Sequence, residues 1–112
     1  MELVLEVYRV VGQLPREERF DLGSQLRRCS VSIPSNLAEG HARDSRAEFL
    51  RFVRISLGSL AELETQLELV RRIELAPEEI TARAARLASE VGRMLTALRR
   101  RLAGPRMRLP SP

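Results

Sequence analysis

The stretch RRCSVSIPSNLAEG, Arg27 to Gly40, decides how this chain folds. Its apolar residues keep helical spacing, yet Pro34 stands among them, where a helix interior loses a donor and meets a clash costing about 3 kcal/mol. Extended in both directions, the stripe reads Leu22, Leu26, Cys29, Ile33 and Leu37, at steps of four, three, four and four. A strand would alternate by two, and a true break would scramble the register. The segment therefore reads as one helix over residues 17–40, kinked at Pro34. Ser30, Ser32 and Ser35 stand near enough to bond the backbone groups that proline frees. Gly40 is expected to end the helix in the left-handed conformation.

Working outward, Leu3, Val7, Val10, Val11 and Leu14 line one side of a helix over about 2–12. Pro15 with Glu17 and Glu18 then opens the next helix, because carboxylates suit the positive end of the dipole. On the other side, Ser45-Arg46-Ala47-Glu48 is a capping box. It leads into a four–three seam of Phe49, Val53, Ser56, Leu60, Leu63, Leu67 and Val70 over residues 45–73. Phe52, Leu57 and Leu69 lie off that seam and give the helix a second apolar side. A last helix over 77–103 carries Ile80, Ala84, Leu87, Val91, Met94, Leu98 and Leu102. Residues 105–112 read as a flexible basic tail containing prolines. Four helices with short connections predict an all-α, antiparallel up-down four-helix bundle, one domain over 1–104.

Composition agrees with that class. Of 112 residues, 44% are hydrophobic and 30% charged, which excludes a disordered chain, and aromatics at 4% disfavour strands. All 19 basic residues are arginine. That bias reads either as phosphate recognition by guanidinium forks or as drift of the source genome toward arginine codons. The net charge of +4 permits a polyanion partner without requiring one. The opening MELVLEVYRVVGQL lacks a basic leader and a cleavage pattern, and no apolar run approaches the roughly 18 residues of a membrane span. A cytoplasmic protein away from membranes is expected.

Chemistry-bearing constellations are scarce. Cys29 is the only cysteine and reads as a small buried hydrophobe, so no intramolecular disulfide forms. His41 is the only histidine, which excludes a histidine-based metal cluster, and it lies more than three helical turns from Cys29. Glu64 and Glu68 share a helix face, but no third ligand or acid partner accompanies them. There is no phosphate loop and no nucleophile motif. No catalytic residue, metal or cofactor is expected, and the chain does not read as an enzyme. A small-ligand-binding bundle ranks last, because no polar residue is aimed into the core. Basic clusters remain: Arg99, Arg100 and Arg101 continued by Arg106 and Arg108, the pair Arg27 and Arg28, and the pair Arg71 and Arg72. Cations at helix C-termini are favourable for structural reasons alone. The tail arginines escape that explanation and are candidate nucleic-acid contacts. Without interleaved aromatics, phosphate contact would dominate over base stacking.

LGSQLRRCSVSIPSNLAEGHAR (Leu22–Arg43) followed by SRAEFLRFVRISLGSLAELETQLELV (Ser45–Val70) resembles the 23S rRNA-intervening sequence protein family. The residues that carry the resemblance include Ser32, Pro34, Asn36, Glu39, Gly40, Gly58, Glu62 and Glu64. It implies a four-helix bundle assembled into a ring, commonly a homopentamer. A related branch, the accessory variability protein of diversity-generating retroelements, binds a reverse transcriptase and nucleic acid. The resemblance thus implies a non-enzymatic oligomeric scaffold associated with RNA or DNA. Its alternative is an accessory subunit of a reverse transcriptase or another partner enzyme. Two departures stand out. An aromatic-containing stretch usually precedes the first helix in the family, so reduced outer packing or ring contact is expected here. His41 also stands where the family typically has an aromatic residue.

Overall fold

A computed structural model describes residues 1–104, and all regular structure among them is helical. In chain order the helices are α1 (Glu2–Gln13), α2 (Arg16–Arg19), α3 (Leu22–His41), α4 (Arg46–Ile73) and α5 (Glu78–Ala103). The four longer helices pack in a cycle, α1 on α3, α3 on α4, α4 on α5 and α5 on α1. Side-chain pairs fix the directions. Gln25 meets Gln66, Cys29 meets Glu62 and Ser32 meets Ser59, so α3 and α4 run antiparallel. Arg46 at the start of α4 reaches the carbonyls of Leu102 and Arg101 at the end of α5, so that pair is antiparallel as well.

The core gathers where the stripes meet. Leu3, Val7, Val10, Val11 and Leu14 of the first segment are all buried, as are Leu26, Cys29 and Ile33 of α3 and the seam of α4 from Val53 to Val70. On α5 the buried line is Thr81, Ala84, Ala88 and Leu95, while Met94 is 69% exposed. The apolar periodicity places Met94 in the core, but the helix is rotated toward α4. Small residues set that rotation: at Gly92 a Cβ would already lie 3.2 Å from Leu60 Cδ2. The core is also less purely apolar than the sequence suggests, since Ser30, Ser56, Gln66 and Thr81 are buried.

The segment expected as one helix from residue 17 is divided. α2 is a single turn, and Phe20–Asp21 separate it from α3, with Asp21 outside helical backbone at φ −99° and ψ −83°. The physical reason is local packing. Arg19 forks onto the carbonyls of Leu14 and Gly12, tying α2 over the end of α1. Gly23 then passes so near Val11 that a Cβ would lie 3.2 Å from it. The chain has to change direction before α3 begins.

Through Pro34, α3 continues as a helix to His41. The serines are not the compensating groups. Ser30 donates to the Arg27 carbonyl, and Ser32 shares its hydrogen with Ser59 across the interface. Additional donors reach the two carbonyls just before the proline, from the Asn36 amide to Ser32 at 2.8 Å and from buried Ser56 of α4 to Ile33 at 3.0 Å. The carbonyl that the missing Pro34 N–H leaves free is that of Ser30. Gly40 is no left-handed cap either, since no glycine among the described residues has positive φ. A Cβ there would meet Phe52 Cβ at 2.6 Å, so the glycine exists to let α3 and α4 touch. Asp44, at φ 52°, turns the chain instead. Ser45 caps α4 by accepting from the Glu48 backbone at 3.2 Å, while the Glu48 carboxylate turns outward to Arg51.

Candidate functional site

Of the residues that give the sequence its resemblance, Ser32, Asn36, Gly40 and Glu62 meet at the α3–α4 interface. Ser32, Asn36 and Ser59 form one connected hydrogen-bonded group, with Asn36 Nδ2 also 2.9 Å from Ser32 Oγ. One turn further along, Cys29 Sγ points its proton at Glu62 Oε2, 3.7 Å away, and accepts from Gln66 Nε2 at 3.5 Å. Burial pushes the Cys29 thiol up; the Gln66 hydrogen bond draws it part of the way back, and the Glu62 carboxylate raises it again. A thiol so held stays protonated and is a poor nucleophile. His41 is elsewhere, edge-on to Phe49 at 5.7 Å between ring centroids. Among the described residues, no group of three or more His, Cys, Asp or Glu side chains could hold a metal ion.

Other signature residues scatter. Glu39 pairs with Arg43 at 2.7 Å, and Glu64 lines the side of α4 that faces α5. Pro34 faces the start of α1 beside Met1, Val4 and Met94. Gly58 is exposed with nothing within 4 Å of where a Cβ would stand, so packing inside the chain does not require it. Of the three off-seam apolar residues, Phe52 is buried between α3 and α4 and Leu57 is half-buried, leaving Leu69 exposed. Ile55 and Ile73 join it on the surface of α4, and Met1, Leu5 and Tyr8 make an exposed stripe on α1 at helical spacing.

The structure sorts the arginines into two kinds. Arg9, Arg43, Arg51, Arg71, Arg72 and Arg83 are ion-paired with glutamates, and Arg71 is held charged by its hydrogen bond to Glu78. Among the described residues Arg16, Arg28, Arg54, Arg86, Arg93, Arg99, Arg100 and Arg101 form no ion pair, Arg19 and Arg46 bond only backbone carbonyls, and Arg27 bonds only the Ser24 hydroxyl. Arg106 and Arg108 lie outside the described residues. Because α4 and α5 are antiparallel, Arg99 to Arg101 share one end of the molecule with Arg43, Arg46, Arg51 and Arg54. The other end, built by α2 and the α4–α5 connection, carries Glu17, Glu18, Glu74, Glu78 and Glu79 together with Arg16, Arg19, Arg71 and Arg72. The positive charge is therefore concentrated at one end of the molecule, the basic end.

The model of one family, 23S rRNA-intervening sequence protein, matches residues 1–97. The chain belongs to that family. Its fold is similar to the crystal structure of a protein of unknown function from the S23 ribosomal protein family of Bacteroides thetaiotaomicron VPI-5482. The two are 26% identical, with a TM-score of 0.80 over 88% of this chain and 89% of the other. Among curated proteins none matches. Helices packed on one another are thus the fold that this chain shares with that structure. No helix among the described residues is long and apolar enough to cross a membrane.

Proposed function

We propose that this family member is a non-enzymatic oligomeric scaffold that associates with RNA or DNA through its basic end. The exposed face of α4 carries the first half. Ile55, Leu69 and Ile73 are 39%, 45% and 60% exposed along the same side of α4 as Gly58, a helix-interior glycine that costs about 1 kcal/mol relative to alanine. Nothing among the described residues repays that cost, whereas the close approach of another copy would. A ring-like homopentamer is the assembly that the family resemblance favours. For the second half, Arg99, Arg100 and Arg101 have no carboxylate partner among the described residues, stand beside the start of α4, and are joined in sequence by Arg106 and Arg108.

Sedimentation at micromolar concentration is expected to give a species several times the chain's 12.7 kDa, and a monomer would overturn the scaffold reading. Nucleic-acid affinity is expected to fall steeply with salt and to drop when Arg99, Arg100 and Arg101 become alanine. Affinity indifferent to both would remove the basic end from the proposal.

A further inference from the structure

An open groove of about 700 Å³ runs along the outer side of the α4–α5 contact. Its floor is small and apolar, with Leu57, Ala61, Gly92 and Ala97. Its α5 wall presents Ser89, Arg93, Thr96 and Arg100 in steps of four, three and four, which is one polar group per helical turn. Those groups recur about every 5.4 Å along the axis. Arg93 is held against this wall by the Ser89 hydroxyl, 2.9 Å from its Nη1, with no carboxylate taking its charge among the described residues. Helix-dipole compensation does not account for it, since Arg93 stands ten residues before the end of α5 and the dipole acts within the last turn.

We infer that this groove is a track for the phosphate backbone of a single-stranded nucleic acid. The inference rests on the nucleic-acid reading above and gives it a place and a strand preference. One wall supplies guanidinium and hydroxyl donors in a regular row, the arrangement that a repeating phosphodiester needs. The floor offers apolar surface against which unpaired bases lie, and it lacks the aromatic platforms that would read their sequence. A duplex is too thick to enter a trough between two helices about 10 Å apart and would meet the rim alone. Glu64, at the far end of the groove, repels phosphate and sets where the track stops.

The test uses the full chain and a fluorescein-labelled oligothymidylate of about a dozen nucleotides, with the matching oligouridylate and a duplex of equal length as comparisons. Losing both Arg93 and Arg100 to alanine removes two phosphate contacts, which lowers the salt slope by about 1.4 and single-strand affinity by about twentyfold near 0.1 M salt. Ala61→Leu fills the floor without changing charge and is expected to weaken single-strand binding while leaving duplex binding unchanged. Arg28→Ala with Arg16→Ala, an equal charge loss on α3 and α2 away from the groove, is expected to cost no more than about threefold. Steep, salt-dependent binding that falls equally in the groove and control pairs, or that ignores Ala61→Leu, would overturn the groove and leave the basic end intact. Wild-type protein that binds neither strand nor duplex would overturn both.

Discussion

The two flanks of α4 are built on opposite rules. Toward α3, small residues face large ones: Gly40 lies under Phe52, and Ser56 reaches across to the Ile33 carbonyl. The gap is closed and hydrogen-bonded along its length. Toward α5, Ala61, Gly92 and Ala97 leave room beside Arg93 and Arg100, and the result is a groove of about 700 Å³. One helix thus presents an architectural flank and an available one. Of the residues that carry the resemblance, Ser32, Asn36, Gly40 and Glu62 lie on the closed flank, while Pro34, Glu39, Gly58 and Glu64 do not.

Gly40→Ala strikes the closed flank hardest. Its new methyl would meet Phe52 Cβ at 2.6 Å, and a Cβ cannot swing aside, so α3 and α4 have to separate. A loss of about 2–3 kcal/mol in denaturant unfolding is expected, at the upper part of the usual overpacking range. Gly92→Ala makes the matched comparison on the open flank. There the obstacle is the tip of Leu60 at 3.2 Å, which is free to move, and the helix gains about 1 kcal/mol of propensity. Equal losses at the two glycines would show that the flanks do not differ.

A smaller effect separates the flanks by pH. Cys29 on the closed side has its pKa raised above 9.0 by burial first and by Glu62. Below about pH 9 the thiol is protonated in both folded and unfolded chains, so it contributes no pH dependence. Above that, the unfolded chain releases the proton first, and stability falls by at most about 1.4 kcal/mol per pH unit until the folded thiol also ionises. Unfolding curves at successive pH values should show this decline in the native sequence and lose it in Cys29→Ser. A decline of the same slope in the serine variant would mean that another group titrates.

Much of this was legible from spacing. The stripes of α1, α3 and α4 could be read because each helix buries one narrow face and the apolar residues mark it in phase. What escaped was set by residues without a hydrophobic signature. The rotation of α5 that exposes Met94 follows from Ala84, Ala88 and Gly92, and small residues carry no direction until the partner helix is known. Gly40 looked like a cap because glycine before a polar turn usually is one, and its actual role needed Phe52, twelve residues away in the next helix. The basic end was half visible as the run Arg99 to Arg101. Arg93 was not, since a lone arginine on a helix looks like any solvated charge until its neighbours across the groove are seen.

Gly58→Ala carries the comparison to the outer face, where the expected sign reverses. No atom lies within 4 Å of the new methyl in a single chain, so nothing resists it. The substitution should stabilise dilute, dissociated protein by about 0.5–1 kcal/mol, through reduced freedom of the unfolded chain and better helix propensity. In concentrated protein the same methyl meets whatever approaches the face between Ile55 and Leu69. If a second copy packs there, the gain at high dilution turns into weaker assembly at high concentration, seen as a shift of the sedimentation profile toward smaller species. A gain that persists unchanged across concentration would mean that no chain covers this face. The cost of Gly58 would then be a plain inefficiency of the helix, and the assembly would have to use the exposed stripe of Leu5 and Tyr8 on α1 instead.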